Sequence, residues 1–205
     1  MPDKVDLKKT LDSYRAKRDV IRELTVERTR YLMVDGHGDP NTSDAFSRAI
    51  EAIFPVAYKA KFASKQELGR DYVVMPLEGL WSAPDMTAFT SRRDKSAWDW
   101  TLMILQPDWV DDALIERAIT AAGAKDAPAR LDDVRVEALE EGRCLQTLHL
   151  GSFDDEGPVL ERMHAQIADQ GLAMAGRHHE IYLSDFRKVA PERLRTILRQ
   201  PVAPA

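Results

Sequence analysis

Cysteine is almost absent from this sequence: Cys144 is the only one. No disulfide can form within the chain, so the fold must be held by its core, and a reducing, cytoplasmic setting is expected. Long apolar runs are missing too. The stretches at residues 72–77 and 102–105 fall far short of the about 20 residues that span a bilayer, so no membrane partner is expected. The opening residues, Met1-Pro2-Asp3-Lys4, lack the apolar centre of a signal peptide. A basic excess is also lacking. The net charge is -5, with lysines and arginines interleaved among acids, which is not the footprint of a protein that reads nucleic acid.

Chemical motifs are equally sparse. No GxSxG elbow, HExxH or CxxC occurs, which argues against a serine hydrolase elbow and the familiar zinc sites. Gly36-His37-Gly38-Asp39-Pro40 lies between a strand and a helix, but Asp39 and Pro40 spoil it as a phosphate cradle, and it reads as a turn. In His178-His179-Glu180, strand alternation puts His179 on the opposite face from its neighbours, so the three cannot wrap one metal ion. No metal and no cofactor are expected.

What is present is the composition of an ordinary globular chain, 44% hydrophobic and 31% charged over 205 residues, enough for one domain with a full core. Residues 6–17 carry Leu7, Leu11 and Tyr14 at helical spacing, and 20–28 read as an extended connection or an edge strand. Residues 1–24 are therefore expected to form a helical extension packed on a domain of 25–205. A strand at 31–35 leads through the glycine turn to a helix with Phe46, Ile50, Ile53, Phe54 and Ala57 on one side, and Pro55 inside it is expected to kink it or break it in two. Strands are expected at 71–81 and 98–105, and a helix from Pro107 to about Ala122. Two more, 134–139 and 143–150, read as a hairpin, followed by a helix at 158–170, a strand at 178–184 and a short last helix at 191–198.

Strand, loop, helix, strand thus occurs twice, in halves of about 25–106 and 130–205. The fold class is α+β: two such halves sharing one antiparallel sheet with helices on one face, and a pocket on the other face or at the seam. Trp81, Trp98 and Trp100 fall on two strands that could pair, with Tyr72 and Glu78 close in sequence. Aromatic faces of this kind stack flat ligands and hold cations. Glu180 and Tyr182 share a strand face, with Ile181 and Leu183 assigned to the face under the helices.

Four separated stretches carry a family resemblance. They are 31–41 (YLMVDGHGDPN), 71–81 (DYVVMPLEGLW), 178–185 (HHEIYLSD) and 191–202 (PERLRTILRQPV). The chain resembles, over nearly its whole length, the stand-alone branch of the GyrI-like (gyrase-inhibitor-like) small-molecule-binding family. The resemblance implies two β-α-β-β halves in a pseudo-twofold arrangement, with a ligand cleft between them. It implies a buried acid that meets cationic aromatic ligands, or, for some stand-alone members, hydrolysis that opens the cyclopropane ring of DNA-alkylating natural products. By the same resemblance Glu180 and Tyr182 match the family's acidic strand and Trp81 its aromatic wall. Ser82 departs from the pattern, where a second tryptophan is common.

The expectation is a protein that binds an aromatic, cationic or neutral small molecule for sequestration or detoxification. The alternative is a cyclopropane hydrolase in which Glu180 is general base on a water, and Tyr182 or Tyr72 hydrogen-bonds a carbonyl that gains charge. A protein-binding inhibitor, which the family name suggests, would need a large exposed patch that the sequence does not reveal.

Overall fold

A computed structural model describes residues 4–83 and 94–205. Its strands are β1 (Arg22–Val26), β2 (Thr29–His37), β3 (Glu78–Ser82), β4 (Asp99–Gln106), β5 (Arg135–Leu139), β6 (Gly142–Leu150), β7 (Leu172–Met174), β8 (His178–Tyr182) and β9 (Arg195–Pro204). Its helices are α1 (Leu7–Thr10), α2 (Asp44–Glu67), α3 (Asp112–Gly123) and α4 (Gly157–Asp169). The stretch between the strands expected at 71–81 and 98–105, whose polar and turn residues read as a loop, falls largely outside the described residues.

One antiparallel sheet runs in the order β1-β6-β9-β8-β3-β4-β2-β5, with β7 on β9. The α+β class and the antiparallel sheet are as expected. Helix α2 packs on β2, β4 and α3, and α4 packs on β6 and β7. Register places Trp81 beside His178 and Trp100, and Gly79 beside Glu180 and Leu102. β3, from the first part of the chain, and β8, from the second, meet in a seam near the middle of the sheet. Among the described residues no helix is long and apolar enough to cross a membrane.

Local chemistry explains most elements. Ser43 caps α2 by accepting the Ala45 N–H at 3.3 Å, and Ala49, Ile53, Val56 and Ala60 are wholly buried along one side. The helix runs unbroken through Pro55. Packing of this face outweighs the one backbone hydrogen bond that the proline removes. Asp111 caps α3, and Gly171, at φ +66, ends α4 in the left-handed region.

Several expectations are corrected. The 6–17 helix is only the single turn α1, because Leu11 is extended and Tyr14 is drawn into the core. The boundary expected at residue 24 falls inside β1. The strand expected from residue 71 begins at Glu78; Pro76, with no N–H to give, belongs to an irregular lead-in. β5 and β6 do not pair as a hairpin. β5 joins β2 and β6 joins β1 and β9. The favoured two-residue hairpin turns need positive φ at the first central position or at both, and neither Glu140 nor Glu141 has it. The last helix is instead a short turn, Pro191–Arg193, followed by the ten-residue strand β9, and β7 was not foreseen. Here sheet pairing on both sides of β9 overrides a local helical period.

The face assignment is also reversed. Glu180 and Tyr182 lie on the helix-covered face. Ile181 shares the other face with Glu78 and His179. The N-terminal segment covers that face: the Tyr14 hydroxyl donates to Glu78, and Arg199 donates to the Ser13 carbonyl at 2.7 Å.

Candidate functional site

Between the start of α2 and α4, above the β3–β8 seam, lies a cavity of about 370 Å³. Trp81 comes to it from β3, Trp98 from the residue before β4, and Glu180 and Tyr182 from β8. Phe46 and Ile50 of α2 and Leu160 of α4 close it from above, and Phe153 and Phe186 from the loops after β6 and β8. The walls are stiffened by ring contacts. Trp81 stacks on Phe46 at 6.1 Å and meets Trp98 edge-on at 5.6 Å. Phe153, Tyr182 and Phe186 form a mutual edge-on triad with centroids 5.6 to 5.8 Å apart.

A hydrogen-bond relay runs through this wall. Trp81 Nε1–H donates to the Tyr182 hydroxyl at 3.2 Å, and that hydroxyl donates to Glu180 Oε2 at 2.8 Å. His178 Nε2 stands 3.7 Å from Glu180 Oε1. Burial pushes the Glu180 carboxyl up to about 7, against the pull of the Tyr182 bond, the His179 charge and Lys95. Burial also takes His178 down to about 3, so it is neutral. The Tyr182 phenol is raised by burial and by Glu180. Glu180 keeps 12% side-chain exposure. It is thus a carboxyl that changes charge near neutral pH inside an aromatic enclosure.

Gly79 makes the relay possible. A Cβ there would lie 2.8 Å from Trp81 Nε1 and 2.9 Å from the Tyr182 hydroxyl. Both side chains are buried and held, so neither can yield cheaply. Gly79→Ala is expected to lower stability by about 1–3 kcal/mol and to break the Trp81–Tyr182 bond. Denaturant unfolding combined with tryptophan emission checks both; a wild-type emission maximum together with undiminished stability would show that the wall can shift.

Of the residues singled out in the sequence, Trp81, Trp98, Glu180 and Tyr182 meet at this cavity. Trp100 stands behind it, edge-on to Phe46 at 5.1 Å, with its ring over Gly36, where a Cβ would lie 2.0 Å away. Tyr72 is elsewhere, donating to Gln106 at 3.4 Å and packed on Trp109. Glu78 lies on the far face of the sheet in a buried cluster. There His179 Nε2–H donates to it at 2.9 Å and His179 Nδ1–H donates to Glu141 at 2.9 Å, while Arg199 donates to Glu141 at 2.6 Å. His178 and Glu180 do share a face apart from His179, as alternation requires. Ser82 does not line the cavity.

Sequence reasoning missed Phe46, Phe153, Phe186, Lys95 and Glu156 as lining residues. Phe46 fits the core stripe of α2 and gave no separate signal. Phe153 and Phe186 are lone aromatics in polar loops, and that is a readable clue.

Sheet, cavity and central acid together define a small-molecule-binding protein. A family model for the GyrI-like small molecule binding domain matches residues 20–203, and the chain belongs to that family. An uncharacterized conserved protein from Listeria innocua shares 35% identity and a TM-score of 0.88, covering 98% of this chain and all of the other. A hydrolase from Listeria innocua shares 34% at a TM-score of 0.83, with the same coverage. The C-terminal domain of EcmrR, at 11% identity and a TM-score of 0.54 over 91% of this chain and 97% of that one, shows the fold alone. No curated protein matches the chain.

Proposed function

We propose that the protein binds a flat aromatic small molecule in this cavity, preferring one that carries positive charge, and serves to sequester or detoxify it in the cytoplasm. One observation carries the reading: a carboxyl held near neutrality at the centre of an enclosure walled by Trp81, Trp98 and Phe46. A stacked cation would favour ionised Glu180 and gain both ring and charge contacts. With a net charge of -5, the proposal includes no nucleic-acid partner.

A second reading is favoured by the same carboxyl. A base that titrates near 7 is matched to removing a proton from water at physiological pH. The relative cited above carries the name hydrolase. On a strained cyclopropane conjugated to a carbonyl, water would add to a ring carbon as its proton passes to Glu180. The ring C–C bond would break toward the carbonyl, and the proton would return there. Product formation distinguishes this from saturable binding.

Titration with a flat aromatic cation such as 9-aminoacridinium is expected to quench tryptophan emission saturably. Trp81→Ala should weaken that binding by about tenfold or more. Equal affinity in the variant would take Trp81 out of the binding wall.

A further inference from the structure

The cavity does not end at the Tyr182 ring. On its other side lies a second groove of about 460 Å³, floored by Phe54, Tyr58, Pro76 and Leu77. Tyr182, Phe186 and Arg187 line both spaces, so these three side chains are the partition between them. The members of this wall are held differently. Tyr182 is fixed by its bonds to Trp81 and Glu180. Phe186 and Arg187 belong to the loop after β8, where Arg187 grips Asp185 at 2.8 and 3.0 Å and lies 5.1 Å over the Phe54 ring.

The two spaces differ in charge. Among the described residues, the first is lined by Glu51, Asp154, Glu156 and Glu180 against Lys95 and Arg187. The second presents Lys8, Arg187 and Lys188 against Asp185, with Asp6 beside Lys8 at 3.4 Å. Acid thus predominates on one side of the partition and base on the other. Each volume lies in the lower part of the usual range for ligand pockets, and the two together stay within that range.

We propose that the two spaces form one elongated binding site for a two-part ligand. A flat aromatic head sits against Trp81, and an apolar tail passes Phe186, lies along Phe54 and Tyr58, and ends in a carboxylate or sulfonate near Lys8 and Lys188. The head's seat rests on the function proposed above; the tail's seat rests on the second groove.

Three probes separate the two claims: 9-aminoacridine, the same ring with a six-carbon chain ending in a carboxylate, and that chain ending in a neutral amide. Wild type is expected to bind the carboxylate form about tenfold more tightly than the amide form. Lys8→Gln/Lys188→Gln should erase that ratio, with a melting curve verifying its fold. Equal affinities for the two tailed probes in wild type, or a ratio that survives in the variant, would overturn the second seat. If 9-aminoacridine alone fails to bind while the lysine-dependent ratio holds, the head's seat falls and the tail's stands. No binding by any probe overturns both.

Discussion

Glu180→Gln is expected to cost cationic ligands about 30-fold in affinity, or about 2 kcal/mol, while neutral aromatic ligands bind as before. The substitution keeps size and shape and removes the charge that the enclosure offers. In wild type, cation affinity should rise as pH climbs toward about 7, where Glu180 loses its proton, and level off above. In the variant the profile should be flat. The stability effect has the opposite sense. Folded Glu180 titrates near 7 against an ordinary value of 4.5, so the native state holds the proton that the unfolded chain has given up. Stability therefore falls as pH rises from about 4.5 to 7, by on the order of 3 kcal/mol. Glu180→Gln should match wild type near pH 4 and exceed it at pH 8. Calorimetric titration of one cation from pH 5 to 8, with melting curves at both ends, decides the matter. Identical pH profiles for the two proteins would move the central role to another acid. If turnover is observed, the same variant should lose about 10²-fold in rate with binding of a neutral substrate retained.

Arg199→Met is expected to be among the most damaging single changes in the molecule, at about 3–5 kcal/mol. The Arg199 side chain is 1% exposed and that of Glu141 3%, while those of His179 and Glu78 are fully buried. Both ring nitrogens of His179 face carboxylate oxygens, so both carry hydrogen and the ring is an imidazolium. Two cations then balance two anions. Burial alone would lower the His179 value, but the charge and hydrogen bond of Glu141 and the bond of Glu78 raise it. Burial alone would raise Glu141, yet His179 and Arg199 bring it down to about 2. With a folded value below its ordinary 4.5, Glu141 contributes stability that is present above about pH 4.5 and lost as pH falls toward 2. Removing the guanidinium leaves an unbalanced buried carboxylate and frees the Ser13 carbonyl that ties down the N-terminal segment. Urea unfolding at pH 7 and at pH 3 tests this. The deficit should shrink at the lower pH, and a loss under 1 kcal/mol at pH 7 would show that the cluster contributes little.

The fold class was legible because α2, α3 and α4 carry clear helical periods with recognisable ends, and because β2 and β4 each carry a short apolar run. Pairing was legible only for β3 with β4. Nothing local in residues 135–150 says that a turn of two glutamates separates its strands rather than joining them. β9 was misread because Leu194, Ile197 and Leu198 satisfy a helical period, and only its neighbours on both sides make it a strand. At the site, Glu180 and Tyr182 were readable as a pair from alternation. Closeness in sequence groups Glu78 and Tyr72 with Trp81, yet one residue's shift along a strand sends a side chain to the other face. Alternation puts His179 on the face away from His178 and Glu180, but its partners come from β3 and from the β5–β6 turn, and long-range partners leave no mark in spacing.

The exchange of first strands between the halves bears on how such a protein comes to be folded. β1 leaves its own half to pair with β6, and β5 crosses back to β2. A fragment holding either half alone would bare two backbone edges, one of them at the β3–β8 pair, and carry one strand with nowhere to go. Contacts that join residues more than a hundred positions apart must close before either edge is sealed, which slows assembly and exposes its intermediates to aggregation. The ligand chamber, seated on the central β3–β8 pair, therefore comes into being only when both halves do.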